Sequence, residues 1–270
     1  MNPSPSTLVA ETPEGVRISL LGGAAARAGR ALSGPLAAEV AAALQSSPRG
    51  EVAVRAVDVN VPLLEKNDIL AERNRGYFLG RGLAALNLVS SPGAGKTTLL
   101  ARTLDEFGVQ TSCAVLVGDL ETENDGRRLQ RPHAPVAQIT TGTVCHLDAG
   151  MIARAAESLD LDGVRLLFIE NVGNLVCPAS FDLGEQVRVV LLSTTEGEDK
   201  PLKYPPIFKS AHLVLLTKVD VADALGFDRA AAIENIRRIA PQARIIPLSA
   251  RSGEGLPEWY GFLRALVPER

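Results

Sequence analysis

Short apolar runs recur from residue 84 to the C-terminus, and stretches with helical spacing of apolar and polar positions separate them. Runs of this length that are rich in Val, Ile and Leu are typical of strands buried on both faces of a sheet. Their alternation with helical stretches predicts an α/β fold with a doubly wound, mostly parallel, seven-stranded sheet and helices on both faces. The predicted strands are residues 86–89, 112–117, 135–139, 165–169, 187–192, 212–216 and 244–247.

The N-terminal segment has a different pattern, because residues 1–57 are rich in Ala, Gly, Pro and Ser. We expect a loosely structured arm there, with a helix near residues 36–44 and a short strand near residues 16–21, and we assign it no chemistry. The chain is therefore predicted to consist of an N-terminal arm, residues 1–57, and one main domain, residues 58–270.

A helix is predicted at the start of the main domain. Residues 52–61 alternate in a strand-like way, and Asn67-Asp68 then predicts the N-cap of a helix over residues 69–83 that packs against the rest of the domain. Its arginines form either a solvated face or a contact with a phosphate or a partner; they are Arg73, Arg75 and Arg81.

Composition narrows the class of protein. The chain has 270 residues, of which 46% are hydrophobic, and this is enough for a large core. No apolar run approaches the roughly 20 residues that cross a bilayer, and the first residues lack a secretory pattern, so we expect a cytoplasmic protein without a membrane partner. A net charge of −3 with interspersed signs predicts no nucleic-acid partner. Three cysteines favour thiol or metal chemistry over a disulfide framework.

A glycine-rich turn follows the first predicted strand and leads into a helical pattern. It predicts a phosphate-binding loop, in which backbone N–H groups and the helix N-terminus attract an anion, Lys96 contacts the terminal phosphates and the Thr97 hydroxyl binds Mg²⁺. Ser90 occupies the position where the usual motif has its first glycine. The alternative is a plain strand-to-helix turn. The residues predicted to bind nucleotide here are Ser91, Pro92, Gly93, Ala94, Gly95, Lys96, Thr97 and Thr98.

Carboxylates follow two other predicted strands, at the sheet edge where ligands of such folds bind. Asp119 is predicted to contact Mg²⁺ directly or through water, and the alternative is a helix cap, a role that also suits Asp125. Glu170 is predicted to lie near the metal or the attacking water, with the N–H of Gly173 sensing the γ-phosphate. No glutamine follows Gly173 to orient the attacking water, so we expect the bound nucleotide to be hydrolysed slowly by the protein alone.

The tips of the last two predicted strands suggest recognition of guanine. A carboxylate at Asp220 can accept two hydrogen bonds from guanine that adenine cannot offer, and the Lys218 stem can lie over the base. Thr217 stands where guanine-binding proteins usually have Asn, which removes an amide that supports the loop. Ser249 and Ala250 complete the predicted base site, and the alternative is a surface turn with a capping Asp.

Cys145, His146 and Cys177 lie in two loops that follow strands predicted at the same sheet edge. Thiolate and imidazole suit Zn²⁺ or Ni²⁺, and three ligands leave a position open for water or another chain. The alternative is a pair of buried structural cysteines. Cys113 is predicted to be a core residue, and His133 and His212 are expected to have no metal role.

From residue 58 onward the chain resembles the HypB family of hydrogenase nickel-incorporation GTPases, which belong to the SIMIBI class of P-loop proteins. The resemblance is based on NLVSSPG at 87–93, TG at 141–142, CHLDA at 145–149, IENVGNLVCPA at 169–179 and TEGEDKPLKYP at 195–205. It implies a GTP-hydrolysing protein that dimerises with GTP and delivers nickel to the large subunit of a nickel–iron hydrogenase, together with other maturation proteins. It also implies that Cys145, His146 and Cys177 bind the metal at the dimer interface.

The arm lacks the cysteine cluster and the histidine-rich run that some members of this family carry. Three alternatives remain. The first is the related urease-maturation GTPase, but its metal segment is Cys-Pro-His, whereas Cys177-Pro178 is followed by Ala179 here. The others are a metal-carrying scaffold that binds nucleotide with little turnover and an ATP-dependent kinase or synthase.

Overall fold

The computed structural model describes residues 8–11, 17–21, 60–119, 124–142 and 144–267. The strands in these ranges are β1 (Leu8–Glu11), β2 (Arg17–Leu21), β3 (Ala84–Ser90), β4 (Cys113–Asp119), β5 (Val136–Thr140), β6 (Leu166–Glu170), β7 (Val187–Ser193), β8 (Leu213–Thr217) and β9 (Arg244–Pro247). The α-helices in these ranges are α1 (Asn60–Gly80), α2 (Lys96–Glu106), α3 (Asn124–Leu129), α4 (Ala149–Glu157), α5 (Lys200–Lys203), α6 (Pro205–Lys209), α7 (Arg229–Ile239) and α8 (Leu256–Leu266).

The strands of the described ranges form one sheet in the order β1-β2-β5-β4-β6-β3-β7-β8-β9. Strands β3 to β9 pair in parallel throughout, which confirms the predicted doubly wound parallel sheet of seven strands. β3 and β7 are buried along their whole length. This burial explains why the central strands are mostly apolar on both faces rather than alternating between apolar and polar positions.

The arm adds two strands to this sheet. β1 and β2 pair antiparallel, and β2 pairs antiparallel with β5 at the edge. The arm therefore contributes regular structure where we expected a loosely structured segment, although β2 coincides with the short strand predicted near residues 16–21. The helix predicted at residues 36–44 and residues 52–59 of the predicted strand lie outside the described residues.

Helix α1 begins earlier than the sequence pattern predicts. It begins at Asn60, so residues 60 and 61 are helical rather than strand, and it ends at Gly80 rather than at residue 83. Asn67 therefore lies inside the helix, and the prediction that it caps the N-terminus is wrong. Its side chain bonds to two distant backbone groups instead: it donates to the Asp182 carbonyl over 2.8 Å and accepts from the Ala149 N–H over 2.9 Å. The Asn67 side chain therefore connects α1 to two distant segments of the chain.

The two faces of the sheet carry separate apolar clusters. On one face α2 and α8 cover the sheet, with Leu100 and Trp259 buried at the centre. On the other face α1 and α4 form one cluster, which includes Phe78, and α6 and α7 form another, which includes Phe208. This layering brings the carboxyl ends of the parallel strands together at one edge. No helix in the described part of the chain is long and apolar enough to span a bilayer.

Candidate nucleotide and metal site

The phosphate loop connects β3 to α2. Gly95 precedes the helix with φ of 101° and Gly93 has φ of 75°, conformations that favour glycine. Ser90 is the last residue of β3, where extended backbone does not need a glycine, so its substitution for the usual glycine introduces no left-handed strain. Its hydroxyl lies 2.9 Å from the Lys96 amine. Lys96 is buried, and this burial lowers its pKa although the nearby Glu170 carboxylate opposes the effect.

A cavity of about 340 Å³ lies over this loop, and most of the predicted phosphate and magnesium residues line it. Ala94 lines the neighbouring cavity instead, and Ser91 lines neither. Thr97 donates a 2.6 Å hydrogen bond to Glu170 Oε1, whereas Glu170 Oε2 is buried without a hydrogen-bond partner among the described residues. Burial raises the pKa of Glu170 to about 7. Asp119, half-buried at the end of β4, lines the same cavity. A hydroxyl and carboxylate oxygens are the hard ligands that Mg²⁺ prefers, so these residues fit that ion.

Gly173 lies against the phosphate loop. A Cβ atom at this position would be 2.9 Å from Pro92 Cα, a distance that real side chains essentially never show. The loop after β6 can therefore approach the phosphate loop this closely only because residue 173 is glycine. Asp125 lies in the first turn of α3, as expected, and its carboxylate pairs with Arg128 over 3.2 Å.

A second cavity, of about 220 Å³, adjoins the first and contains the predicted base-binding residues. The Thr217 hydroxyl donates to the Ala94 carbonyl over 2.8 Å, so threonine itself supplies a contact to the phosphate loop at the position where the usual amide is missing. Lys218 has φ of 59°, and its carbonyl accepts a 2.8 Å hydrogen bond from Thr194. The other predicted members of the base site that line this cavity are Asp220, Ser249 and Ala250, and the side chain of Asp220 is exposed.

The predicted metal ligands also converge. The ligand atoms of Cys145, His146 and Cys177 lie within 4.8 Å of one another, and the two sulfurs are 2.9 Å apart. The His146 ring stacks on Phe181 with a centroid distance of 3.9 Å, and its Nδ1 atom is buried without a partner among the described residues. Asn174 donates to the Cys145 carbonyl over 3.1 Å and so connects the two loops.

The protonation of this cluster suits a soft metal ion. Burial lowers the pKa of His146, against the opposing charge of Asp148, so the imidazole is neutral and able to act as a ligand. The hydrogen bond to Cys177 raises the pKa of Cys145, and a bound metal would replace that shared proton. Two sulfurs and one imidazole fit Zn²⁺ or Ni²⁺ better than Mg²⁺. Cys113, buried in β4, lies outside this cluster.

The family follows from comparison with known proteins. The family described as CobW/HypB/UreG, nucleotide-binding domain, matches residues 84–247. The hydrogenase maturation factor HypB of Escherichia coli is 54% identical over 209 residues, an alignment that covers 77% of this chain and 72% of the relative. The chain belongs to the HypB family. This confirms the resemblance drawn from the sequence strings, and with it the P-loop fold.

Other HypB proteins support the same assignment. The hydrogenase/urease maturation factor HypB of Helicobacter pylori is 40% identical over 224 residues, which cover 82% of this chain and 91% of the relative. The crystal structure of HypB from Archaeoglobus fulgidus has a TM-score of 0.71 at 39% identity and covers 76% of this chain and 100% of that chain. The crystal structure of Helicobacter pylori HypB in complex with nickel has a TM-score of 0.70 at 39% identity, with coverage of 74% and 94%.

The sequence pattern of this HypB-family chain did not indicate two arginines that the fold places at the nucleotide site. Arg128 of α3 lines the phosphate cavity, and its guanidinium donates to the Thr98 hydroxyl over 3.2 Å. Arg102 of α2 donates to the Ala250 and Arg251 carbonyls over 2.8 and 3.0 Å and so holds the loop that lines the base cavity. Both lie in amphipathic helices, where a functional arginine has the same local pattern as a solvated one.

Arg73 and Arg75 of α1, and Arg81 just after its end, do not line the phosphate cavity. Arg75 pairs with Asp182 over 2.6 Å, and Arg81 pairs with Asp162 over 2.7 Å. Arg75 and Arg81 therefore connect this helix to neighbouring loops.

Proposed function

We propose that this HypB-family protein is a GTP-hydrolysing metallochaperone switch that binds Ni²⁺ or Zn²⁺ and assists nickel insertion into the large subunit of a nickel–iron hydrogenase. One observation carries the proposal. Glu170 at the end of β6 and Gly173 in the loop that follows line the phosphate cavity, and the same loop contributes Cys177 to the metal cluster four residues after Gly173. A change at the γ-phosphate therefore acts on the same segment that holds a metal ligand.

The choice of GTP is supported by the exposed Asp220 carboxylate in the cavity beside the phosphate loop. Thr97 and Asp119 would bind Mg²⁺, Lys96 would contact the phosphates, and Cys145, His146 and Cys177 would bind the cargo metal. We propose slow turnover, a GTP-dependent homodimer that brings two metal clusters together, and other maturation proteins as further partners, in a cytoplasmic setting without nucleic acid or membrane. Residues 58–270 would carry these functions, and residues 1–57 would form an N-terminal arm without a chemical role.

A role in urease maturation is the second candidate, because one relative is named a hydrogenase/urease maturation factor. The metal segment argues for the hydrogenase role, since Cys177-Pro178 is followed by Ala179 rather than by the histidine of the urease-type motif.

Phosphate release with GTP and ATP tests the proposed activity. We expect release from GTP alone, well below the roughly 1 to 100 per second of kinases. Lys96→Ala should abolish release without changing the circular dichroism spectrum. Equal release from ATP would contradict the switch and favour the kinase or synthase alternative, and binding without release would favour the scaffold.

Size-exclusion chromatography with a GTP analogue and Ni²⁺ tests the proposed dimer. A shift to the dimer that needs the analogue is expected. A chain that stays monomeric with both ligands bound would contradict the part of the proposal in which two metal clusters meet.

A further inference from the structure

A buried polar network lies between the two apolar clusters that share one face of the sheet. Its members come from β3, β7 and the loops after β6 and before β7, and each side chain is nearly or completely buried: Asn87, Asn171, Glu185 and Arg188. Asn87 and Arg188 are register partners on the adjacent strands β3 and β7. Because buried polar groups cost free energy unless they are paired, a network of this kind constrains the position of every group that it contacts.

Asn171 is the member that contacts both functional loops. Its Oδ1 atom accepts a 2.9 Å hydrogen bond from the Val172 N–H and a 3.4 Å hydrogen bond from the Leu147 N–H. Val172 directly precedes Gly173, which lies against the phosphate loop, and Leu147 directly follows His146. One side-chain oxygen therefore links the backbone beside the proposed γ-phosphate sensor to the backbone beside a metal ligand.

The rest of the network anchors this side chain. Asn171 donates to Asn87 Oδ1 over 3.2 Å, and Asn87 donates to Glu185 Oε1 over 3.1 Å. Glu185 pairs with Arg188 over 2.7 Å, and this arginine donates to the Phe181 carbonyl over 2.9 Å.

This series of contacts also reaches the metal cluster through Phe181, because the Phe181 ring stacks on the His146 imidazole. The network thus reaches His146 along two routes, one through the backbone of Leu147 and one through Phe181.

We propose that Asn171 is a positioning residue that makes the placement of His146 depend on the nucleotide. The inference rests on the proposed function, and it adds a second route to the direct connection along the loop to Cys177. When the Gly173 backbone moves to meet a γ-phosphate, Val172 moves with it, and the shared Asn171 oxygen must follow. The longer bond to Leu147 then changes, and His146 shifts relative to the two sulfurs. Metal affinity differs between two nucleotide states only when such contacts differ between them.

The test is Ni²⁺ titration of the full chain in the GDP state and with a non-hydrolysable GTP analogue, followed by the nickel–thiolate absorption. The measured quantity is the ratio of the two affinities, which for couplings of this kind is typically about 5-fold to 150-fold. We expect this ratio to fall several-fold towards one in N171A, which removes both bonds to the backbone. N87A, which removes only the anchor, should lower it by less.

A matched control is N74A. Asn74 is also buried, and its amide donates to the Ala149 and Leu183 carbonyls over 2.8 and 3.0 Å, but it lines neither cavity of the nucleotide site. The N74A change should lower the free energy of unfolding about as much as N171A does. It should leave the ratio of the two nickel affinities as it is in the unmodified protein. A purely structural role of Asn171 would weaken both nickel affinities equally and leave the ratio unchanged.

Two results overturn the inference: an unchanged ratio in N171A, or an equal fall in N74A. If N171A does not fold, an unchanged ratio in N87A has the same meaning. GTP hydrolysis by the unmodified protein, measured in parallel, distinguishes a failure of this inference from a failure of the proposed function. Hydrolysis with identical nickel affinities in both nucleotide states overturns the coupling, both through Asn171 and along the loop to Cys177, but leaves the proposed GTP hydrolysis and metal binding in place. Absence of both hydrolysis and nickel binding overturns the proposed function as well.

Discussion

Gly173 and Pro92 are in backbone contact, since a Cβ atom on Gly173 would lie 2.9 Å from Pro92 Cα. The loop after β6 and the phosphate loop therefore meet with no space for a side chain. This contact connects the predicted phosphate loop to the segment that carries Cys177, and the first prediction follows from it.

Gly173→Ala should lower GTP hydrolysis by about 10-fold to 100-fold, because a displacement of about 1 Å in a catalytic group can cost about 100-fold in rate. The alanine methyl group must move the loop away from Pro92, and the Gly173 N–H then no longer reaches the γ-phosphate. Single-turnover phosphate release measures the effect. Gly76→Ala is the control, since a Cβ atom on Gly76 in α1 meets no other atom within 4 Å. Full activity in Gly173→Ala would remove this residue from the sensor.

Asp220→Asn should weaken GTP binding by about 10-fold to 100-fold, the cost of losing charge-assisted hydrogen bonds to the base. The same variant should gain affinity for xanthosine triphosphate, whose base edge presents an acceptor where guanine presents an amine. Competition against a fluorescent nucleotide measures both. Asp223→Asn, a change in the next 3₁₀ turn, should leave both affinities unchanged because Asp223 does not line the base cavity. Comparable GTP and ATP affinities of the unmodified chain would contradict guanine selection.

Cys177→Ala should lower metal affinity by more than about 100-fold. Even substitutions of residues that only hydrogen-bond to metal ligands lower metal affinity by about 10-fold to 100-fold. Cys177→Ala should also abolish any dependence of metal affinity on the nucleotide, while GTP binding to the monomer stays nearly unchanged. Titration with Ni²⁺ and Zn²⁺ in the GDP and GTP-analogue states measures these effects. Cys113→Ala is the control, because this buried thiol lies outside the metal cluster. Equal metal affinity of the Cys177 and Cys113 variants would argue against Cys177 as a ligand.

Arg188→Ala should lower the free energy of unfolding by about 3 to 5 kcal/mol, because it leaves the buried Glu185 carboxylate without its partner. The two side chains of this ion pair are 8% and 4% exposed. Arg244→Ala is the control, since its pair with Glu258 has side chains about half exposed, and such pairs contribute at most about 1 kcal/mol. Urea unfolding at neutral pH measures both. Equal losses in the two variants would contradict the role of burial.

The same ion pair predicts how stability depends on pH. Burial alone would raise the pKa of Glu185, but the charge of Arg188 and the Leu183 N–H hold that pKa below its usual value. Its contribution to stability is therefore complete above the unfolded-state value of about 4.3 and is lost as the pH falls below it. Urea unfolding of the unmodified protein and of Arg188→Ala between pH 7 and pH 3.5 should show this loss only in the unmodified protein.

The positions of the seven parallel strands, the phosphate loop and the metal cluster could be predicted from the sequence. Strands buried on both faces are mostly apolar along their length, so β4 and β6 appear as nearly continuous apolar runs that need no tertiary information. The phosphate loop is a contiguous motif whose chemistry depends on neighbouring residues. Cys145 and Cys177 lie in separate loops, but the carboxyl ends of parallel strands meet at one edge, so the topology itself predicted their convergence.

Only the tertiary structure decided which polar side chains support these elements. Asn67 has the sequence context of a helix cap, yet it bonds to Ala149, 82 residues away. Asn171 bonds to Asn87 across 84 residues, and Thr217 contacts Ala94 across 123 residues. A polar residue in a buried network has the same local pattern as one in a turn or cap, because periodicity reports burial and backbone conformation but not the identity of a distant partner. The sequence by itself therefore determined the fold and the candidate site residues, and the packing of distant segments determined how those side chains are held.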